Sequence, residues 1–132
     1  MELADATYAN SEPFVPDLKG GKVVKVYDGD TITVASFIYG KRYRFSVRLN
    51  GIDSPELKGG SAEQKHQATI SREALSDLIM NKIVTLKNVT TEKYGRILAD
   101  VFLGDLDVCK WMLDAGHACV YHGGTKPTHP KN

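Results

Sequence analysis

Three short segments of this chain carry side chains whose types and spacing could do chemistry on a phosphodiester. They are residues 28–31 (DGDT), 48–56 (RLNGIDSPE) and 93–96 (KYGR). Each segment taken alone has an ordinary structural explanation, because Asp-Gly is a common hairpin turn and Asp-Ser-Pro-Glu is a typical cap or corner. Together they supply acids, arginines and a water-activating group, so the combination is what needs explaining.

The combination pairs two acids with two arginines. Asp30 and Asp53 could share a hard cation through oxygen ligands, which suits calcium or magnesium and not zinc. Arg48 and Arg96 offer planar guanidinium forks for phosphate oxygens. Glu56 follows three residues after Asp53 and is a candidate general base or water-orienting residue. Because phosphoryl transfer depends on positioning and charge stabilisation, these five side chains predict metal-assisted phosphodiester cleavage.

Short strands must position these groups in the first half of the chain. Strand character starts at Val23, and an Asp-Gly turn at 28–29 leads into a second strand over 31–38. A turn at 39–41 leads into a third strand over 42–49, where apolar and polar residues alternate. One predicted face carries Tyr43, Phe45, Val47 and Leu49, and the other carries Arg42, Arg44, Ser46 and Arg48.

The second half of the chain mixes helical and strand periods. We predict a polar loop over 51–66, a helix over 67–81, strands over 83–89 and 97–103, a helix over 108–115 and an extended segment over 118–121. Asp107 is the predicted N-cap of the second helix, and Asn81 and Gly116 are predicted stop signals. This order predicts an α+β, mostly β fold, a five-stranded OB-type barrel with two or three short helices.

Length and composition set the wider expectations. A chain of 132 residues is one domain, with a poorly ordered arm over 1–20, the folded domain over 21–122 and a loose tail over 123–132. The net charge of +1 gives no overall attraction to polyanions and reveals no strongly basic face. No signal peptide or membrane span is visible, so we expect a soluble monomer without a membrane partner and leave the compartment undetermined.

The two cysteines, Cys109 and Cys119, are too few for a disulfide scaffold. We expect two free, partly buried thiols, with one bridge between them as the alternative. The single tryptophan, Trp111, lies at helical spacing from Val108 and is predicted to be a core residue.

Taken in order, the three motifs resemble the staphylococcal nuclease, or thermonuclease, family. The likeness runs from Lys22 to Tyr121, most of the chain. It implies a calcium-dependent nuclease, with magnesium as the other candidate, that cuts DNA and RNA and leaves 3′-phosphate and 5′-hydroxyl ends. Single-stranded DNA and RNA are the expected substrates. The resemblance implies that Asp30 and Asp53 are the calcium carboxylates and that Ser54 is a ligand through its backbone carbonyl.

The resemblance also implies roles for the remaining side chains. Arg48 and Arg96 match the two arginines that bind and stabilise the phosphoryl transition state, and Glu56 matches the residue that engages the attacking water. Lys93 and Tyr94 match positions that contact a terminal phosphate in the nucleotide pocket.

Three points of the likeness leave alternatives open. The family's substrate-side tyrosine falls at Tyr121 or His122, and Tyr121 could equally be a core residue. The family archetype has a third helix at its C-terminal end, where this chain has a Gly- and Pro-rich tail. The alternative function is a catalytically weak module that binds nucleic acid or protein. We prefer the enzyme because such modules lose site residues that this chain retains.

Overall fold

The structure is a computed structural model, and it describes residues 3–55, 61–92 and 95–121. In chain order its elements are a 3-10 turn (Leu3–Asp5), β1 (Gly20–Asp28), β2 (Thr31–Ile38), β3 (Lys41–Leu49), β4 (Ile52–Asp53), α1 (Ala62–Ile79), β5 (Ile83–Thr91), β6 (Ile97–Leu103), β7 (Leu106–Asp107), α2 (Val108–Asp114) and β8 (Cys119–Val120). The predicted tail over 123–132, with any third helix, lies outside the described residues.

Five of the strands form a closed barrel. β3, β2, β1, β5 and β6 are antiparallel neighbours in that order, and a parallel pairing between β3 and β6 closes the ring. The fold is therefore the predicted α+β, mostly β barrel, with two helices in the described part of the chain. None of these helices is long and apolar enough to cross a membrane.

The barrel interior is filled by the inward-facing side chains of every long strand, together with residues from both helices. Its largest fully buried side chains are Val23, Ile32, Val34, Val47, Leu49, Ile52, Leu75, Ile79, Val84, Val101, Val108 and Met112. Trp111, predicted to be a core residue, packs against this core but is only partly buried. Leu18, from the segment before β1, is also part of the core.

The β2–β3 hairpin extends beyond the part of the barrel that has a core inside it. Val47 and Leu49 are buried on the predicted apolar face of β3, but Tyr43 on the same face is 45% exposed. On the opposite face Arg48 is only 8% exposed, although the other arginines of the strand are exposed. The predicted alternation holds along β3, while burial depends on how far along the barrel each residue lies.

The first helix begins five residues earlier than predicted, which makes the predicted loop over 51–66 wrong in part. The reason is a capping box in which Gln64 N–H donates to Ser61 Oγ (3.2 Å) and Ser61 N–H donates to Gln64 Oε1 (2.9 Å). The helix ends at Ile79, two residues before the predicted end, and Asn81, the predicted stop signal, adopts a left-handed φ of 65°. Asp107 caps α2 as predicted, since its side chain accepts from Lys110 N–H.

Ser61→Ala is expected to lower the free energy of unfolding by about 1 kcal/mol, because the helix loses the acceptor for a backbone N–H at its first turn. Urea denaturation of the two proteins measures this difference. Ser11→Ala, at an exposed position before β1, is the control. Equal midpoints for both variants would show that the capping box contributes nothing.

Both cysteines are thiols and not disulfide partners, as expected, and they differ in burial. Cys109 lies buried on α2, and burial raises the pKa of its thiol to about 11. Because the thiolate is the reactive form, we expect iodoacetamide at pH 8.5 to modify Cys119 at least about tenfold faster than Cys109. Intact-mass analysis of Cys119→Ser and Cys109→Ser proteins separates the two rates, and faster labelling of Cys109 would contradict its burial.

Candidate active site

The turn between β1 and β2 is held against two other elements by a close approach at Gly29. A Cβ built on Gly29 would lie 2.9 Å from Ser54 Cβ, just after β4, and 3.0 Å from Ser71 Cβ on α1. Any larger residue would push the turn away from both neighbours. Packing therefore requires glycine at this position of the DGDT segment. The interpretation of Asp-Gly as a simple turn did not predict this packing constraint.

This packing positions the Asp30 carboxylate at the end of β4. Asp30 Oδ2 accepts from the backbone N–H of Ser54 (3.0 Å), and Oδ1 accepts from the Thr31 hydroxyl (2.9 Å). Asp30 is 7% exposed. The hydrogen bond to Ser54 joins two segments that are 24 residues apart in the chain, and it brings Asp30 and Asp53 into one site.

Arg48 lies between the two carboxylates. Its Nη2 is 3.3 Å from Asp53 Oδ1 and 3.8 Å from Asp30 Oδ2, and its Nη1 donates to the Ile52 carbonyl (3.0 Å). The guanidinium also lies over the Tyr121 ring, with 4.8 Å between the guanidinium carbon and the ring centroid. The planar group is thus fixed along its edge by oxygen acceptors and on one face by an aromatic ring.

The contact with Tyr121 depends on a small sheet that the sequence did not predict. β4 pairs with β8, so that Asp53 lies opposite Cys119, and Tyr121 N–H then donates to the Gly51 carbonyl (2.8 Å). Two strands of two residues each are too short to produce a periodic signal. Of the two candidates for the substrate-side tyrosine, the structure brings Tyr121 to Arg48, and His122 lies outside the described residues.

Arg96 lies just before β6, the strand that pairs with the Arg48 strand β3, but the structure does not bring it to the two aspartates. The parallel register pairs Arg48 with Leu98, and Arg96 precedes that partner by two residues. Its guanidinium forms an ion pair with Glu92 across the β5–β6 turn. Glu92 was not predicted from the sequence. Its position four residues before Arg96, a predicted phosphate-binding arginine, is the pattern that could have indicated the ion pair.

Three predicted site residues, Glu56, Lys93 and Tyr94, lie outside the described residues. Their assigned roles stay predictions.

The described residues offer oxygen ligands for a hard cation. Asp53 and Ser54 are each 1% exposed, and the Ser54 hydroxyl is buried without a hydrogen-bond partner in the described part of the chain. Within those residues no group of three or more His, Cys, Asp and Glu side chains is assembled. Among the described residues two carboxylates face one guanidinium, so these three groups together carry a formal charge of −1. Their chemistry fits calcium or magnesium, with backbone carbonyls and water completing the shell.

Comparison with known proteins identifies the family to which the chain belongs. The family model described as staphylococcal nuclease homologue matches residues 46–132, about two thirds of the chain. The chain belongs to this family. The match covers Arg48, Asp53 and Arg96, and Asp30 lies before it.

Individual relatives agree with this assignment to the staphylococcal nuclease homologues. A protein of Escherichia coli named "Uncharacterized endonuclease" is 36% identical over 112 residues, which are 83% of this chain and 67% of the relative. A protein of the same name from Haemophilus influenzae is 36% identical over 100 residues, with 76% and 51% covered. A "Probable staphylococcal-like nuclease" of Oryza sativa is 30% identical over 115 residues, with 87% of this chain but only 27% of the relative covered.

Proposed function

We propose that this protein is a metal-dependent nuclease that hydrolyses phosphodiester bonds in DNA and RNA. The observation that carries the proposal is the Arg48 guanidinium, held between the buried carboxylates of Asp30 and Asp53. Membership of the staphylococcal nuclease homologue family supports it, as do relatives whose names include endonuclease.

In this proposal Arg48 binds the scissile phosphate. A guanidinium that is 8% exposed lies in a medium of low dielectric constant, where its attraction to a phosphate oxygen is stronger than in water. The contacts with Ile52 and Tyr121 fix its orientation before substrate arrives. Charge that develops on the phosphate in the transition state then meets a donor that needs little reorganisation.

A divalent cation at Asp30 and Asp53 would supply positive charge to the phosphate and to the attacking water. It would also change which groups the Arg48 guanidinium can contact. A bound cation would balance the charge of the two carboxylates, which would weaken the attraction of Asp53 for the Arg48 guanidinium and favour its contact with phosphate. Calcium is the preferred ion of the proposal and magnesium the other candidate, both compatible with oxygen ligands.

The remaining roles follow the family resemblance. Glu56 activates or orients the attacking water, Arg96 exchanges Glu92 for the phosphate, and Lys93 and Tyr94 contact a terminal phosphate. The expected products carry 3′-phosphate and 5′-hydroxyl ends. The competing function is a binding module without catalysis, and the retention of both aspartates beside Arg48 favours the enzyme.

The direct test is cleavage of circular single-stranded DNA and of homopolymer RNA by purified protein with calcium, with magnesium or with a chelator. We expect cleavage with calcium that a chelator stops, and end-group analysis should find 3′-phosphates. A circular substrate has no ends, so its cleavage establishes internal cutting. Absence of cleavage of both polymers across several divalent ions would reject the nuclease and leave the binding module.

A further inference from the structure

The outer face of the β1–β2–β3 meander, which points away from the core, is basic although the whole chain is nearly neutral. Residues 20–49, which span the three strands, contain six Lys and Arg side chains against two Asp and no Glu. The net charge of +1 therefore hides a local excess of positive charge, which the overall composition does not reveal.

The strand register places cations from two separate strands on this outer face. Lys22 on β1 and Arg44 on β3 both pair with Ala35 of β2, and paired residues point to the same side of a sheet. By the same rule Arg42 lies on this face opposite Phe37 of β2. Lys25 lies opposite Thr33, the next outward position on β2. We call Lys22, Lys25, Arg42 and Arg44 the outer-face cations.

These cations are exposed, and in the described part of the chain none of them has an ion-pair partner. Unpaired cations of like charge that share one face of a sheet repel one another. Such an arrangement costs stability unless a polyanion neutralises it, so the face has the charge of a binding surface.

Aromatic rings accompany two of the outer-face cations. The Arg42 guanidinium lies over the Phe37 ring at 5.4 Å from its centroid, and Phe37 is 66% exposed. The Lys25 ammonium lies 5.7 Å from the centroid of Tyr27, which is 45% exposed. Exposed rings beside cations are the combination with which proteins bind unpaired bases and their phosphates.

The face is continuous with the candidate active site. Arg48 and Arg44 lie on the same side of β3, four residues apart, and Arg42 lies two residues further. At about 3.4 Å per residue the row of arginines extends roughly 20 Å from the site to the hairpin tip. A strand whose phosphate occupies Arg48 can therefore continue along this row.

We propose that the outer face of β1–β2–β3 is an extended binding surface for single-stranded nucleic acid, which leads the polymer to Arg48. The guidance of the polymer to Arg48 rests on the proposed function. Binding to the outer face does not itself require cleavage. The cations contact successive phosphates, while Phe37 and Tyr27 stack on bases. A barrel of this type presents its second and third strands for such binding.

The test is the affinity of the intact protein for a labelled long oligothymidylate, measured in chelator so that no cleavage occurs. Arg42→Ala with Arg44→Ala, and independently Lys22→Gln with Lys25→Gln, should each weaken binding roughly tenfold. Each pair should also reduce the slope of log affinity against log salt by about 1.4, because two phosphate contacts are lost. Binding of a dinucleotide should change much less, since it cannot reach the outer-face cations.

The matched control removes two exposed cations elsewhere, with Lys65→Ala on α1 and Lys110→Ala on α2. Equal losses of affinity in control and test variants would overturn the proposal, because net charge alone would then explain binding. Phe37→Ala should weaken binding to oligothymidylate more than to an abasic strand, and equal losses would contradict stacking. Displacement of the strand by polyglutamate as efficiently as by unlabelled oligonucleotide would also overturn the assignment.

The results of the binding and cleavage experiments distinguish the proposed binding surface from the proposed nuclease function. If wild-type protein binds the long strand through the outer-face cations but never cleaves it with any divalent ion, the nuclease proposal fails and the surface stands. If wild-type protein cleaves but both double variants bind like wild type, the surface is wrong and the nuclease stands.

Discussion

Arg48→Lys is expected to lower kcat for DNA cleavage by at least about 100-fold, the cost of removing one preorganised charge-stabilising donor. Lysine keeps the positive charge but loses the planar fork, so it cannot bind the Ile52 carbonyl and a phosphate together. Initial rates at saturating DNA with calcium measure the effect. Lysine is preferred to alanine because an uncompensated buried carboxylate would cost about 3–5 kcal/mol of stability.

Lys110→Ala is the control for this prediction, since Lys110 is exposed on α2 and pairs only with Asp114 among the described residues. Its rate should match wild type. Thermal unfolding should show that the Arg48→Lys protein is folded at the assay temperature. A folded Arg48→Lys protein with wild-type kcat would mean that the guanidinium only balances the charge of Asp30 and Asp53.

Asp53→Asn is expected to abolish the response to calcium while leaving the metal-free protein at least as stable as wild type. Two carboxylates face one guanidinium in the wild-type cluster, and the substitution leaves one of each, so the buried charge becomes balanced. A cation at one hundred times its dissociation constant should stabilise wild-type protein by about 2.7 kcal/mol. The variant should show little of this stabilisation, and its cleavage rate should fall at least about 100-fold.

Thermal unfolding with calcium and with chelator measures the stabilisation without reference to catalysis. Asp77→Asn, at an exposed position of α1, should retain the full calcium effect. If calcium stabilises the Asp53→Asn protein as much as wild type, the cation binds elsewhere and the proposed ligand set is wrong. If calcium stabilises neither protein, a cation site shared by Asp30 and Asp53 is rejected.

Local chemistry in the sequence determined much of the fold. Alternating residues in β3, the cap at Asp107 and the left-handed stop at Asn81 act over a few neighbouring positions, so their signals are complete within a short window. The start of α1 was missed because its signal is a cap, Ser61 with Gln64, placed before any apolar residue of the helical stripe.

The candidate site combines local and long-range information. The order of the charged motifs selected Asp30, Arg48 and Asp53, and these three lie together in the structure. Their proximity depends on the Asp30–Ser54 hydrogen bond and on the close approach at Gly29. Neither contact joins residues that are near in sequence, so the motifs predicted which residues matter but not how they meet.

By itself, then, the sequence determined the set of reactive groups, most of the helices and strands, and the family to which the chain belongs. Only the tertiary structure decided that Tyr121 contacts Arg48 through the β4–β8 pair and that basic residues of β1 and β3 share one outer face. The physical reason is the same in each case. Strand pairing and barrel closure are hydrogen bonds between distant segments, and they become visible only when the chain is folded.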